Sequence, residues 1–247
     1  MAKTKEGRLS RYVSKTHPAV IAVWAALIAV AGLLPSIPIL GTGGTFSIAV
    51  ALVPLAGVLF GPISGAICGA IGGFIGQLIA PHTAWLGLGT FVIGTVNAFV
   101  SGLVSRRNWW LPTLIILIGL ALWFTNPIGQ QVPMFAIVVY GLGIIVSLIG
   151  GFFAEGFLKG ANVFLKGVGV WLASFSGMIA AAAIGNYLGL VIIKIPADVW
   201  KFLIPVTPTE RTIFSIGAAI IGVPLLIGLP KIGVYVGPMA EEEEEED

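Results

Sequence analysis

Between Lys15 and Arg106 the chain carries no charged side chain. No soluble core element sustains such a run, whereas about 20 consecutive apolar residues suffice for one helix to cross a bilayer. The stretch therefore predicts several spans on its own. The whole chain agrees: 57% of its residues are hydrophobic, 10% are charged, and its mean hydropathy is +1.03. A transmembrane β-barrel would show short segments of alternating polarity, and none occurs. The expected fold is an all-α polytopic membrane protein, a Gly/Ala-rich helical bundle of about eight spans. These read as Ala19–Leu34, Phe46–Phe60, Pro62–Ala80, Ala84–Ser105, Trp109–Phe124, Pro133–Phe153, Val168–Ile193 and Thr212–Leu229.

Charge sets the orientation. Seven of the eleven acids form the terminal run Glu241 to Asp247, which reads as a disordered, solvated tail over residues 233–247. The remainder carries thirteen Lys/Arg against four acids, +9. With eight spans and a basic cytoplasmic segment at residues 1–18, ten of the thirteen basic residues fall inside, including Arg106, Arg107, Lys159, Lys166 and Lys231. That obeys the positive-inside rule. It predicts a multi-pass protein of the cell membrane, its transmembrane domain spanning residues 19–232 and both termini cytoplasmic. The basic excess thus speaks for lipid orientation and not for nucleic acid. The first helix is expected to be retained, because hydrophobicity continues beyond the small-residue stretch Ala29-Val30-Ala31. The outer loop Lys194–Arg211 is expected to hold a short interfacial segment around Trp200.

Glycine spacing defines the packing. Gly61, Gly65, Gly69 and Gly73 recur every four residues, which stacks them on one helical face and lets a neighbouring backbone approach closely. This glycine helix is expected at the centre of the bundle, with Pro54 kinking the span before it. The first span offers two overlapping small-residue pairs, Ala22/Ala26 and Ala25/Ala29. Cys68 is the only cysteine, which excludes an internal disulfide, and it reads as a small packing residue.

The chemistry is sparse. The chain has no nucleotide-binding P-loop, no His/Cys/carboxylate cluster for a metal and no nucleophile–base pair. No acid falls within a predicted span, so a coupling carboxylate for ion-driven transport is also missing. The reading is a non-enzyme without cofactor or metal. Polar and aromatic residues gather instead toward the outer face: Gln77, His82, Trp85, Asn126, Gln130, Asn186 and Tyr187, with Asn97 deeper. Apolar walls with a few orienting hydrogen bonds suit a pocket for an uncharged or aromatic small molecule. Interhelical packing within a larger, non-transporting membrane complex is the alternative.

The run Ile37-Pro38-Ile39 with Gly41-Thr42-Gly43-Gly44, followed by Leu55-Ala56-Gly57-Val58-Leu59-Phe60-Gly61-Pro62, Gly65-Ala66 and Gly69, resembles the substrate-binding S components of energy-coupling factor (ECF) transporters. The likeness covers about the first 105 residues. It implies capture of a vitamin or vitamin precursor, and docking on a transmembrane coupling protein that carries two cytoplasmic ABC-type ATPases. It also implies a first-helix A-x-x-x-A face toward the coupling protein, here Ala22/Ala26 or Ala25/Ala29. The loop Pro38 to Thr45 would help to cover the substrate. The family's six spans against eight here imply either a six-span core with two additions, the Trp109 segment and the last helix, or short apolar segments counted as spans.

Overall fold

The computed structural model describes residues 17–34, 36–38, 45–47 and 49–239. The basic amino-terminal segment, most of the Pro38–Thr45 loop and the acidic run lie outside these residues. Among the described residues, eight apolar helices overlap the positions of the eight expected spans: α1 (Pro18–Ala31), α2 (Ala49–Phe60), α3 (Pro62–Ile79), α4 (Phe91–Val104), α5 (Trp110–Trp123), α7 (Pro133–Lys159), α8 (Val163–Leu188) and α9 (Ala197–Gly228). Between α5 and α7 lies a single short helix, α6 (Pro127–Gln131). The segments built on α3, α4, α7, α8 and α9 are long and apolar enough to cross a membrane; α1, α2 and α5 are shorter apolar helices. Residues Ser36–Pro38 (β1) and Thr45–Ser47 (β2) pair antiparallel, so α2 begins at Ala49 rather than at Phe46.

Lipid tails are as apolar as leucine, so helix association rests on close packing instead of on hydrophobic burial. The glycines show how close it is. A Cβ on Gly65 would stand 2.5 Å from Gly57 Cα, and one on Gly69 would stand 2.9 Å from Gly94 O. A second face of α3 seats α1: a Cβ on Gly72 would lie 2.6 Å from Ala25 O. At the α3 start Gly61 has φ of +91°, and the buried Arg106 crosses beside it to donate to Gly57 O (3.3 Å) and to Ser105 Oγ (2.9 Å). The arginine thereby satisfies carbonyl groups at the end of α2.

Two expectations change. The glycine helix is not central: Ile63, Ile67, Ile71 and Leu78 of α3 face outward, and α8 is the most buried of the long segments. The reason is that α8 carries small residues on every side, including Gly169, Ala173, Gly177 and Ala180 to Ala183, all buried, so neighbours can approach from all directions. Nor is Lys194–Arg211 a loop. Lys194 makes one left-handed turn (φ +57°), and α9 then runs unbroken for 32 residues through Pro205, Pro208 and Pro224. That is about 48 Å at the helical rise, longer than a bilayer core of about 30 Å. Each proline removes one i→i−4 hydrogen bond from α9, and Thr209 Oγ1 adds a side-chain bond to Pro205 O at 2.9 Å in the same stretch.

Candidate functional site

At the end of the bundle that carries the α3–α4 and α8–α9 turns lies a cavity of about 200 Å³. Basic residues Arg106, Lys159, Lys166 and Lys231 belong to the connections at the opposite end. Five helices wall the cavity: Ile28 from α1; Val50 and Val53 from α2; Gly73, Gly76 and Gln77 from α3; Phe91, Gly94 and Asn97 from α4; and Met178, Ala181, Ala182, Gly185 and Asn186 from α8. The first half of α9 closes it with Trp200, Leu203, Thr207, Glu210 and Arg211.

Several wall residues are held by neighbouring elements. Gln77 bridges to the α3–α4 turn: its Nε2 donates to Leu88 O (2.8 Å), and Phe91 N donates to its Oε1 (3.2 Å). In the same turn Trp85 lays its indole against Gly185 and Gly189, where a Cβ would come within 3.5 Å and 3.3 Å of the ring. Asn97 is buried at the α4–α8 crossing, and Ser101 Oγ donates to its carbonyl at 2.9 Å. Asn186 Nδ2 donates to the hydroxyl of the fully buried Tyr140 (3.2 Å), which fixes the amide against the wall. Trp200 is anchored twice: its Nε1 donates to Ile195 O (3.1 Å), and its ring meets Trp123 and Phe135 at 5.0 Å.

The eight expected contact residues thus divide. Gln77, Trp85, Asn97 and Asn186 come together on one cavity. The other four stand outside its wall. His82 is exposed in the Pro81–Thr83 turn. Asn126 caps α6 by accepting from Ile128 N (2.9 Å), and Gln130 donates to Phe124 O (2.8 Å). Tyr187, next to Asn186 on α8, is not among the lining residues. The sequence reading missed Thr207, Glu210 and Arg211, because the prolines made their segment look like a loop. Its statement that no acid lies in a span is corrected: Glu210 sits inside α9, facing the cavity. The signal available was spacing, since Trp200, Leu203, Thr207 and Glu210 follow an i, i+3, i+4 pattern.

On the first helix the two alanine pairs also separate. Ala25 and Ala29 are buried at 1% and 3% exposure against α3, while Ala22 and Ala26 face outward beside Val23, Leu27 and Val30.

Comparison with known proteins now bears on these features. The family described as ECF-type riboflavin transporter, S component, matches residues 13–198, three quarters of the chain. The chain belongs to that family. Its apolar helices fit the multi-pass membrane fold that membership of this family implies. An uncharacterised protein of Methanocaldococcus jannaschii is 25% identical over 171 residues, which cover 67% of this chain and 56% of that protein. The match thus spans little more than half the length of that relative. No solved structure matches.

Proposed function

We propose that this S component takes riboflavin, or a closely related neutral flavin, from the outer side of the cell membrane into the cavity between Trp85 and Trp200. The observation that carries the reading is the lining itself. Flat apolar and aromatic surfaces at Trp85, Phe91, Trp200 and Met178 surround three amides, Gln77, Asn97 and Asn186. A flavin needs that combination, because its tricyclic ring is broad and apolar while its rim and polyol chain form hydrogen bonds. The family match supports the same substrate class. Of the residues first expected to touch ligand, these three amides and Trp85 remain the proposed contacts.

Orientation follows from charge. Most basic residues, Arg106, Lys159, Lys166 and Lys231 among them, belong to the end away from the cavity, against Lys194, Lys201 and Arg211 near it; placing the majority in the cytoplasm by the positive-inside rule would open the cavity outward and put both termini inside. Transport would be energised by partners: a transmembrane coupling protein bearing two ABC-type ATPases. The outward pair Ala22/Ala26 offers that coupling protein a closely approachable helix face, whereas Ala25/Ala29 is already occupied by α3.

The test is direct. Purified protein, stripped of ligand and titrated with riboflavin, should quench flavin fluorescence saturably at one site per chain. Fluorescence that stays unchanged over the titration, in protein that remains monodisperse, sinks the flavin assignment.

A further inference from the structure

The family match ends at Asp198, yet a full side of the cavity is built beyond it, by Trp200, Leu203, Thr207, Glu210 and Arg211. Within that wall stand Glu210 and Arg211, the only charged residues lining the cavity among the described residues. They are neighbours in sequence and line the same cavity, so their opposite charges lie close together. Thr207 precedes them by three and four residues, so its hydroxyl occupies the same side of α9.

The pair has two properties of use to a binding site. Carboxylate oxygens only accept hydrogen bonds and a guanidinium only donates, so side by side they present an acceptor next to a donor array. Their charges also cancel, which leaves the lining with no net charge. A phosphate or carboxylate brought into such a wall would be desolvated with no net positive charge to compensate it, since one acid and one base line the cavity. A neutral group that carries its own donor beside acceptors loses little, because each of its atoms meets a partner of opposite kind.

We infer that Glu210 and Arg211, with Thr207, form a specificity-determining pole that reads the imide edge of a neutral heterocycle and discriminates against phosphorylated forms of the same molecule. This rests on the flavin reading above. Riboflavin carries such an edge, an N–H between two carbonyls. Glu210 would accept from the N–H and Arg211 would donate to a flanking carbonyl, while Trp85 and Trp200 contact the ring system. The pole is supplied by α9, beyond the residues that the family match covers.

The experiment titrates the full chain in detergent or nanodiscs with riboflavin and with its 5′-phosphate. Wild type should bind riboflavin in clear preference. Glu210→Gln leaves the wall with net positive charge and turns a charged acceptor into a neutral amide that also carries a donor. It should weaken riboflavin about tenfold or more, the usual loss for a hydrogen bond to a charged group, while the phosphate ester gains relative to riboflavin. Arg211→Met should weaken both ligands, the phosphate ester most. Arg211→Lys, which keeps the charge, should retain the discrimination against phosphate at reduced riboflavin affinity. An unchanged riboflavin-to-phosphate ratio in Glu210→Gln and Arg211→Met, with wild type binding riboflavin normally, overturns the pole and leaves the flavin reading intact. Should wild type bind no riboflavin, the flavin reading fails. The pole is then judged by thermal stabilisation of wild type with thymine, a neutral cyclic imide, against inorganic phosphate. Stabilisation by thymine alone supports it, and any other result overturns it.

Discussion

Gly177 is the position where a single methyl group should report on the whole site. It lies on α8 at the crossing with α4, and a Cβ there would stand 2.0 Å from Ser101 Oγ, 2.5 Å from Asn97 O and 2.7 Å from Asn97 Oδ1. Ordinary contact begins at 3.4 Å, so the hydroxyl must swing away and the two backbones must part by about 0.9 Å, the shortfall to Asn97 O. Overpacking of this kind costs typically about 1–3 kcal/mol; with two of the three nearest atoms belonging to Asn97, about 2 kcal/mol is expected for Gly177→Ala. Parting α4 from α8 also moves Asn97 and Met178, which line the cavity, so riboflavin affinity should fall with stability. Thermal melting in detergent and fluorescence titration read the two effects separately. Ser101→Gly in the same chain removes the nearest obstacle but not the backbone one, and should restore only part of the loss. Gly141→Ala is the control, since a Cβ there meets nothing within 4 Å; it should melt at or slightly above the wild-type temperature. A Gly177→Ala protein with wild-type melting and wild-type binding would refute the close-crossing argument.

Two further outcomes follow from the same geometry. Ala22→Leu with Ala26→Leu should leave melting and riboflavin binding unchanged, because both side chains face outward, yet abolish co-purification with the coupling protein; Ala25→Leu should instead lower the melting temperature by pressing on α3, and equal behaviour of the two variants would remove the distinction between the faces. Gln77→Leu removes the donor to Leu88 O and the acceptor for Phe91 N, so the turn holding Trp85 should loosen at a cost of about 1–3 kcal/mol, seen as weaker flavin binding and faster hydrogen exchange in Leu86–Phe91; an unchanged exchange rate there would show that the bridge is dispensable.

How much of this was legible in the sequence depends on the element. The uncharged run from Lys15 to Arg106 dictated a helical membrane bundle, because only internally hydrogen-bonded helices satisfy backbone groups in lipid once a barrel is excluded. Helix number followed from apolar length, and close α2–α3–α4 packing followed from glycines four apart, since that spacing fixes one face of one helix. A face, however, is defined only relative to its own axis. How far each helix is rotated against its neighbours depends on contacts distant in sequence, and that rotation brought Gln77, Trp85, Asn97 and Asn186 to one cavity while leaving His82 and Tyr187 outside it. Asn126 and Gln130 belong to short-range capping bonds, which have the same residue preferences as ligand contacts and look alike in a sequence. The continuity of α9 was likewise settled only by packing. Proline forbids one hydrogen bond locally, but Trp200 locked among Trp123 and Phe135 holds the segment helical through Pro205 and Pro208. That tertiary anchor, absent from any local pattern, is what turns Glu210 and Arg211 from loop charges into the polar wall of a membrane cavity.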